Sequence, residues 1–435
     1  MRFYVTSLGC KLNQSEMETL ARRLAAEGHT IVHEPRLADW CVVNTCTVTH
    51  IAARKSRQLI RRLHRESPKA RIAVTGCYAE TAPEEIEALG SIDLIASNQE
   101  KDRLATLLVQ SPLSGICQEA PSSAGLSAQA VAAAKRTRAF VKIQDGCDNR
   151  CTYCITTIAR GPQRSRPYGD ILAEISARVR EGYNEVVLTG VHIGSYGRDR
   201  DGTASQHGAK CLRELVAAIL EGTEIPRLRL SSIEPWDFDP IMLSLWEDPR
   251  LCRHLHLPLQ SGCDATLHRM GRRYTAREYA SSVALARKAI PDLALTTDLI
   301  VGFPGETEDE FSRSLNFVKR MNFARLHVFK YSPRPGTEAA GFANQIHPDV
   351  KRARSRILID EGRQAQKTFA AAFTGRICQV LCENSQETPE GSLWSGLTDN
   401  YIRVYVEEKR DLHNSILSVQ LLGPLRDGLV GRLIV

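Results

Sequence analysis

The sequence predicts an α/β protein with three parts: an N-terminal open α/β domain with a parallel sheet, a central partial (β/α) barrel and a small C-terminal β-barrel. Three observations predict this fold class. Strand patterns alternate with helix patterns through most of the chain, which is typical of parallel sheets. The last 60 or so residues read instead as short strands separated by turns. The length of 435 residues also exceeds what one domain usually holds.

The N-terminal domain is expected at residues 1–112. Short β-branched runs alternate there with amphipathic helix patterns, so each strand is followed by a crossover helix. The predicted strands are Phe3–Ser7, Trp40–Asn44, Arg71–Thr75 and Ile92–Ala96, and the predicted helices are Ser15–Glu27, Ile51–Arg65, Pro83–Leu89 and Lys101–Val109. The stretch Gln110–Ala134 is rich in Ser, Ala and Pro and has no clear period, so a linker is expected at residues 113–135.

The barrel is expected at residues 136–372, where about six βα units follow one another. Its predicted strands are Ala139–Ile143, Glu185–Leu188, Arg227–Ser231, His254–Pro258, Leu293–Val301 and Arg325–Tyr331. In such a barrel the chemistry takes place at the carboxyl ends of the strands. A long helix, about Pro348–Phe373, closes this part. The remaining residues, 373–435, predict the small barrel with strands Arg376–Glu383, Tyr401–Val406, Ile416–Leu421 and Val430–Val435.

Composition excludes several classes of protein. Hydrophobic residues make up 43% and charged residues 25% of the chain, which argues against a disordered or fibrous protein. No apolar run reaches the roughly 18 residues that a membrane span needs, and residues 1–10 lack the apolar core of a signal peptide. We therefore expect a cytoplasmic protein with no membrane partner. In that reducing compartment, clustered members of the 13 cysteines predict metal ligands rather than disulfides.

Cys147, Cys151 and Cys154 form a C-x3-C-x2-C run directly after the first predicted barrel strand. Three closely spaced thiolates suit a 4Fe-4S cluster in which one iron stays open for a substrate or cofactor. The alternative is a zinc knuckle whose fourth ligand comes from elsewhere, because structural zinc usually takes four protein ligands.

Three further cysteines, Cys10, Cys46 and Cys77, each follow a predicted strand of the N-terminal domain. The carboxyl ends of parallel strands meet at one edge of a sheet, where ligands bind. The three thiols are thus expected to converge. Three unrelated buried thiols are an equally good interpretation of the topology alone, since free cysteine is commonly buried.

The cysteine triad at the first strand of an α/β barrel resembles the radical S-adenosylmethionine (SAM) superfamily. The resemblance implies that the open iron of the first cluster chelates SAM, and that Tyr153 lies near its adenine. It also implies SAM contacts from Gly190, from Ser231 and Glu234, and from Gly302, each just after a barrel strand. For each of these loops a plain βα turn is the alternative.

Longer motifs resemble the methylthiotransferase family over the whole chain. They are Leu8–Gln14 (LGCKLNQ), Asn44–Thr49 (NTCTVT), Arg54–Arg61 (RKSRQLIR) and Val74–Ala79 (VTGCYA). The resemblance implies that Cys10, Cys46 and Cys77 hold a second 4Fe-4S cluster, which carries the sulfur to be inserted, and that the last domain is a TRAM-type RNA-binding barrel. It implies a tRNA substrate, a reductant protein and a sulfur source, the last two unidentified.

Details of these motifs point to one branch of the family. Gly9–Asn13 (GCKLN) is similar to the branch that acts on N6-threonylcarbamoyladenosine at position 37 of tRNA. The same chemistry on isopentenyladenosine or on a ribosomal protein is the alternative, and a non-catalytic iron–sulfur RNA-binding protein is an alternative of another class. One stretch departs from the family: Ile155–Gly161 reads ITTIARG where Ile-Ile-Pro-Tyr-Ala-Arg-Gly is usual, which puts the shape of the pocket wall in doubt.

Basic segments are expected to contact RNA. The net charge is +7, and residues 51–71 carry eight Lys or Arg against one Glu. Residues 135–166 and the group Arg269, Arg272, Arg273 and Arg277 add further positive charge. A solvated helix face is the alternative. Residues 373–435 carry eight acidic and six basic residues, so RNA binding there would depend on local arginines and on stacking by Tyr401 or Tyr405.

Overall fold

The structure is a computed structural model that describes residues 1–90, 92–110, 137–199, 211–238, 240–388 and 391–434. The chain forms two compact units. The first contains Met1–Lys135, Asp145–Asn149 and Cys154–Gln163, and the second contains Arg136–Gln144, Arg150–Tyr153 and Arg164–Val435. The predicted linker at residues 113–135 lies outside the described residues.

The first unit is built on a parallel five-stranded sheet, which confirms the predicted fold class for this part. Its strands are β1 (Arg2–Ser7), β2 (Thr30–Ile31), β3 (Trp40–Thr45), β4 (Arg71–Gly76) and β5 (Leu94–Ile95), in the order β2-β1-β3-β4-β5. Its helices are α1 (Lys11–Ala26), α2 (His50–Glu66), α3 (Cys77–Thr81), α4 (Pro83–Glu87) and α5 (Leu104–Gln110). The prediction missed the edge strand β2, which has only two residues.

Helices cover both faces of this sheet. In β3, Trp40 and Val42 pack with α1 and α5, whereas Cys41 and Val43 pack with α2, α3 and α4. Burial on both faces explains why the central strands read as nearly continuous apolar runs. The strand order reverses between β1 and β3, and in open α/β sheets ligands bind at such a switch point, outside the carboxyl ends of the strands.

The second unit contains six parallel strands in two sheets of three. These are β6 (Arg138–Lys142), β9 (Glu185–Thr189) and β10 (Arg227–Leu230) in one sheet, and β11 (His254–His256), β12 (Ala294–Val301) and β13 (Arg325–Lys330) in the other. A parallel bridge between Ser232 and His256 joins the two sheets. The result is the predicted partial barrel, with each strand within a few residues of its predicted bounds. The short strands β7 (Gln144–Asp145) and β8 (Arg164–Ser165) lie between β6 and β9 in the chain.

Alternate residues of the barrel strands face the helices. Val186 and Leu188 of β9, for example, belong to the large apolar core with Ile171 and Ile175. The helices are α6 (Thr156–Arg160), α7 (Tyr168–Arg180), α8 (Leu212–Gly222), α9 (Asp264–Arg269), α10 (Ala276–Ala289), α11 (Glu308–Met321) and α12 (Pro348–Ala371). The segment Pro240–Glu247 is a 3-10 helix.

The C-terminal part of the second unit is a closed five-stranded barrel, as predicted. Its strands are β14 (Ile377–Thr388), β15 (Gly391–Thr398), β16 (Arg403–Glu408), β17 (Ile416–Leu425) and β18 (Gly428–Leu433), paired in the order β14-β15-β16-β18-β17. All neighbours are antiparallel except β16 and β18. The prediction missed β15, because its glycines and serines resemble a turn sequence.

Candidate functional site

The three cysteines of the first unit lie at neighbouring strand ends. Cys10 is the N-cap of α1 after β1, Cys46 follows β3 directly, and Cys77 opens α3 after β4. The backbone at Gly9 has φ +106°, and a Cβ added there would lie 2.7 Å from the Cys46 Cβ. Only glycine allows this close approach, so the first loop can lie against the second. Cys10 is exposed, whereas Cys46 and Cys77 are buried.

Polar side chains fix these loops to one another. Asn13 donates from Nδ2 to the Leu8 carbonyl at 2.7 Å and to the Thr45 carbonyl at 3.1 Å. Ser56 of α2 accepts from the Cys46 N–H at 3.2 Å and donates to the Cys46 carbonyl at 3.0 Å. Each bond satisfies a backbone group at the end of a strand that the sheet ladder leaves unpaired. The cysteine backbones are therefore held in place independently of any metal.

The thiols influence one another electrostatically. Burial raises the pKa of Cys46 to about 11, and the neighbouring Cys77 and Cys10 add to the rise. Burial also raises the pKa of Cys77, while the positive charges of Arg160 and Lys101 oppose it. The three cysteines follow neighbouring strands at one edge of the sheet, and Cys46 lies against the loop that carries Cys10. Three soft thiolate donors in this arrangement suit an iron–sulfur cluster, and their convergence on one cluster stays a prediction.

The loop of the second cysteine set contributes Cys147 and Cys154 to the first unit. The Cys147 N–H donates to the Gly161 carbonyl at 3.1 Å, and the Cys147 sulfur accepts from the Asn149 N–H at 3.4 Å. Burial raises the pKa of Cys154, while hydrogen bonds from the Thr156 hydroxyl and from backbone N–H groups oppose it. Such N–H and O–H donors around sulfur are typical of thiolates that bind clusters.

Cys151 belongs to the second unit, where Arg272 lies against it. Arg272 Nη1 donates to the Cys151 sulfur at 3.5 Å, and its side chain forms an ion pair with Glu234. Its guanidinium carbon lies 4.6 Å from the Trp236 ring centre and 5.2 Å from that of Tyr274. The prediction counted Arg272 among exposed RNA-binding arginines, and this was wrong, because the side chain is 1% exposed.

The residues predicted to contact SAM lie on the second unit. Tyr153 packs edge-on against Phe303 with ring centres 6.3 Å apart. A Cβ added to Gly190 would lie 2.8 Å from the Gln144 carbonyl, so glycine permits a close backbone approach there. The Ser231 hydroxyl is buried and has no hydrogen-bond partner among the described residues. Glu234 already pairs with Arg272.

Gly302 lies in a tight turn with φ +69°. Its N–H donates to the Glu306 carboxylate at 3.1 Å, and a Cβ there would lie 2.3 Å from Lys351 Cγ. Both neighbours are local or come from α12, so the requirement for glycine has a packing explanation. Its contact with SAM stays a prediction.

One polar cluster of the barrel strands was not anticipated. Asp298 Oδ1 accepts from His256 Nε2 at 3.3 Å and from His327 Nδ1 at 3.1 Å. His256 Nδ1 lies 2.9 Å from the Thr296 hydroxyl. Burial alone would raise the pKa of Asp298, but the two histidine hydrogen bonds outweigh it and hold this pKa well below its usual range. The three members of this cluster lie on β11, β12 and β13, so the sequence alone could not show that they meet.

The C-terminal barrel does not present the aromatic rings predicted to stack on RNA. Tyr401 stacks on His254 with ring centres 4.7 Å apart, and the Arg229 guanidinium lies 4.3 Å from its ring centre. Tyr405 is buried, with its hydroxyl bonded to Asp427. Both rings already have partners within the second unit, so their packing does not support stacking on RNA, and an RNA role for this barrel stays a prediction.

Comparison with known proteins agrees with this arrangement. The model described as "Uncharacterized protein family UPF0004" matches residues 2–97, and that of the Radical SAM superfamily matches residues 141–318. The threonylcarbamoyladenosine tRNA methylthiotransferase MtaB of Bacillus subtilis is 38% identical over 96% of this chain and 92% of its own length. The chain belongs to the radical SAM methylthiotransferase family. Enzymes of this family use SAM and 4Fe-4S clusters, and these are its cofactors.

Other relatives in the same family are named for a different substrate. The tRNA-2-methylthio-N(6)-dimethylallyladenosine synthase of Staphylococcus haemolyticus is 32% identical over 96% of this chain and 82% of its own length. Among solved structures, the radical SAM methyltransferase TsrM from Kitasatospora setae matches with a TM-score of 0.57 at 14% identity, over 78% of this chain and 77% of that one. The likeness to TsrM shows that the two proteins share a fold. None of the helices among the described residues has the length and apolar character of a membrane span.

Proposed function

We propose that this methylthiotransferase inserts a methylthio group at C2 of N6-threonylcarbamoyladenosine 37 in tRNA. The observation that carries the proposal is the presence of two separate sets of three cysteines. One set lies at adjacent strand ends of a parallel sheet, and the other follows the first strand of a partial barrel. A purely structural cluster would normally have all of its irons capped by protein ligands, so two sets of three favour an enzyme over a non-catalytic RNA-binding protein.

Each set of cysteines has its own role in this proposal. Cys147, Cys151 and Cys154 hold the cluster that binds SAM. Cys10, Cys46 and Cys77 hold the cluster that carries sulfur. When bound, these groups supply the deoxyadenosyl radical and the sulfur atom. The target C2–H of adenine is unactivated, and no side-chain base is strong enough to remove its proton, so the chemistry has to come from cofactors.

The remaining task of the protein is binding and orientation. In this proposal, Tyr153 and the loops at Gly190, Ser231, Glu234 and Gly302 hold SAM at the carboxyl ends of the barrel strands. The buried Ser231 hydroxyl lacks a partner among the described residues and supports this role, because an unsatisfied buried hydroxyl is costly unless a ligand pairs with it. In this proposal the two cluster sites belong to residues 1–112 and 136–372, and residues 373–435 form an accessory barrel.

The choice of substrate rests on the relatives and on one motif. The MtaB relative at 38% identity is closer than the dimethylallyladenosine synthase at 32%. Gly9–Asn13 (GCKLN) agrees with the former branch. A tRNA partner, a reductant protein and a sulfur donor follow from the reaction, and a cytoplasmic location suits a tRNA substrate. Dimethylallyladenosine tRNA is the second candidate substrate.

Anaerobic reconstitution tests the cofactors. We expect about eight irons per chain, and about four after Cys10, Cys46 and Cys77 are all replaced by Ala. The loaded protein should release deoxyadenosine from SAM when reduced. Cys211→Ala, at a half-buried cysteine outside both sets, should retain all the iron. Fewer than about six irons in the unmodified protein would contradict two clusters.

Mass spectrometry of tRNA nucleosides tests the substrate. Cells that lack this protein should lose the methylthio group from the threonylcarbamoyl nucleoside and keep it on dimethylallyladenosine. Complementation with the unmodified gene should restore the lost nucleoside, and complementation with Cys46→Ala should not. Persistence of 2-methylthio-threonylcarbamoyladenosine in the deletion strain would refute the assignment, and loss of the dimethylallyl derivative would favour the second candidate.

A further inference from the structure

Arg160 carries a buried guanidinium that connects the two cysteine-bearing segments of the first unit. It is the last residue of α6, six positions after Cys154, and its side chain is 1% exposed. Nη2 donates to Asn13 Oδ1 at 2.6 Å, and Nη1 donates to Glu16 and Asp145 at 2.9 Å each. One side chain thereby joins the segment after Cys154 to the helix that begins after Cys10.

The same guanidinium reaches the cysteines at the strand ends. Burial raises the pKa of Cys77 and of Cys46, and the positive charge of Arg160 opposes both rises by favouring the ionised thiolates. Asn13, which accepts from Arg160, accepts in turn from the Cys10 thiol at 3.6 Å. Arg160 therefore acts on Cys46 and Cys77 through its charge, and it is linked to Cys10 through Asn13.

A buried ion network is the simpler explanation of Arg160, and it accounts for only part of its contacts. Lys101 pairs with Glu16 at 2.5 Å, so two cations and two anions balance one another within the network. That balance needs no donor toward Asn13. The bond to Asn13 comes in addition, and Asn13 in turn contacts Cys10 and the carbonyls of Leu8 and Thr45 in the loops that carry Cys10 and Cys46.

We propose that Arg160 is a positioning residue for the cluster held by Cys10, Cys46 and Cys77, and that it raises the reduction potential of this cluster. The inference rests on the proposed assignment of these cysteines as cluster ligands. A cluster held by three thiolates is anionic, and reduction adds negative charge. A buried cation close to the ligand sulfurs stabilises the reduced form more than the oxidised form. Low exposure keeps this effect from being screened by water.

A redox titration of the isolated N-terminal cluster tests the proposal. The parent protein carries Ala at 147, 151 and 154, so that one cluster remains, and its midpoint potential is followed by electron paramagnetic resonance. We expect Arg160→Gln to shift this potential to a more negative value. Arg160→Lys keeps the charge but cannot reach Asn13, Glu16 and Asp145 together, so it should give a smaller shift in the same direction.

Two controls separate this role from general damage. Arg57→Gln removes a guanidinium that contacts Glu85 and Tyr78, the residue after Cys77. This variant should leave the potential unchanged. Arg160→Gln alone would leave the buried Asp145 carboxylate without its cation. The double variant Arg160→Gln/Asp145→Asn removes that charge as well and preserves the net charge of the protein. Circular dichroism should therefore show that the double variant folds even where the single variant does not. Loss of the cluster from this folded double variant supports positioning by Arg160.

Two results would overturn the claims, and they are distinguishable. An unchanged potential with about four irons bound in the Arg160→Gln and double variants would show that Arg160 serves the ion network alone. Absence of iron from the parent protein, with Arg160 intact, would instead refute the assignment of the three cysteines on which the inference rests.

Discussion

At the scale of single residues, two arginines, Arg160 and Arg272, are buried near the cysteines that the sequence predicts as cluster ligands. The cysteines were predictable because their spacing and their positions after strands are local features. In the sequence, Arg160 and Arg272 are part of basic segments, because the sequence shows the charge of an arginine but not its partners. Their partners lie far along the chain: Asn13 is 147 positions from Arg160, and Glu234 is 38 positions from Arg272. Such contacts exist only in the folded protein.

Arg272 is expected to support the cysteine loop that carries Cys151. Arg272→Gln removes the partner of Glu234 and leaves that carboxylate unpaired, which typically costs about 3–5 kcal/mol of folding free energy. Urea unfolding should report this loss, and deoxyadenosine formation should fall with it. Arg273→Gln is the matched control, because the adjacent side chain is exposed. Equal stability of both variants would exclude a structural role for the buried pair.

The departure at Thr156 gives a second prediction for a single residue. Burial raises the pKa of Cys154, and the hydroxyl of Thr156 opposes this rise by favouring the ionised thiolate, which an isoleucine at this position cannot do. Hydrogen bonds to ligand sulfur raise cluster potentials. In a protein without the N-terminal cysteines, Thr156→Val should therefore shift the remaining cluster to a more negative potential. Ile158→Tyr, at a residue 49% exposed in the same helix, should not. Identical potentials for the Val variant and its parent would contradict this role.

At the scale of elements, most strands and helices followed from hydrophobic periodicity. The order β2-β1-β3-β4-β5, which brings Cys10 and Cys46 to a switch point, did not follow, because pairing between strands depends on the whole sheet. The strand β15 was missed for a local reason. Its glycines serve close packing, since a Cβ at Gly396 would lie 2.4 Å from the Leu381 carbonyl on β14.

The turn between β15 and β16 is expected to stabilise the second unit rather than bind RNA. Tyr401 stacks on His254, and its hydroxyl accepts from Arg138 at 3.0 Å. Tyr401→Ala should lower the free energy of unfolding by about 3–5 kcal/mol, the usual cost of removing an enclosed aromatic side chain. Tyr401→Phe removes only the hydroxyl and should cost about 1 kcal/mol. Urea unfolding measures both. A loss of tRNA affinity in the folded Phe variant, with unchanged stability, would contradict this role.

At the scale of the whole molecule, the net charge of +7 is a poor guide to where RNA binds. Several arginines in the segments predicted to contact RNA are buried or paired. Acidic residues of the closed barrel pair with arginines of the partial barrel, such as Glu383 with Arg138 at 2.8 Å and Asp399 with Arg253 at 2.6 Å. The mild negative charge of this barrel is thus explained in part by contacts within the second unit. The basic face of α2 remains exposed.

That face gives a prediction for tRNA binding. Besides Arg62, which pairs with Glu66, four exposed cations lie on α2: Arg54, Lys55, Arg61 and Arg65. If they contact phosphates, replacing all four by Gln should weaken binding of unmodified tRNA and reduce the slope of log affinity against log salt by up to about four, roughly one for each contact. Filter binding at several salt concentrations measures this slope. The matched control replaces the same residue types on α12, at Arg352, Arg356, Arg363 and Lys367, which are also exposed. Equal slopes for the two variants would indicate that the α2 face is merely solvated.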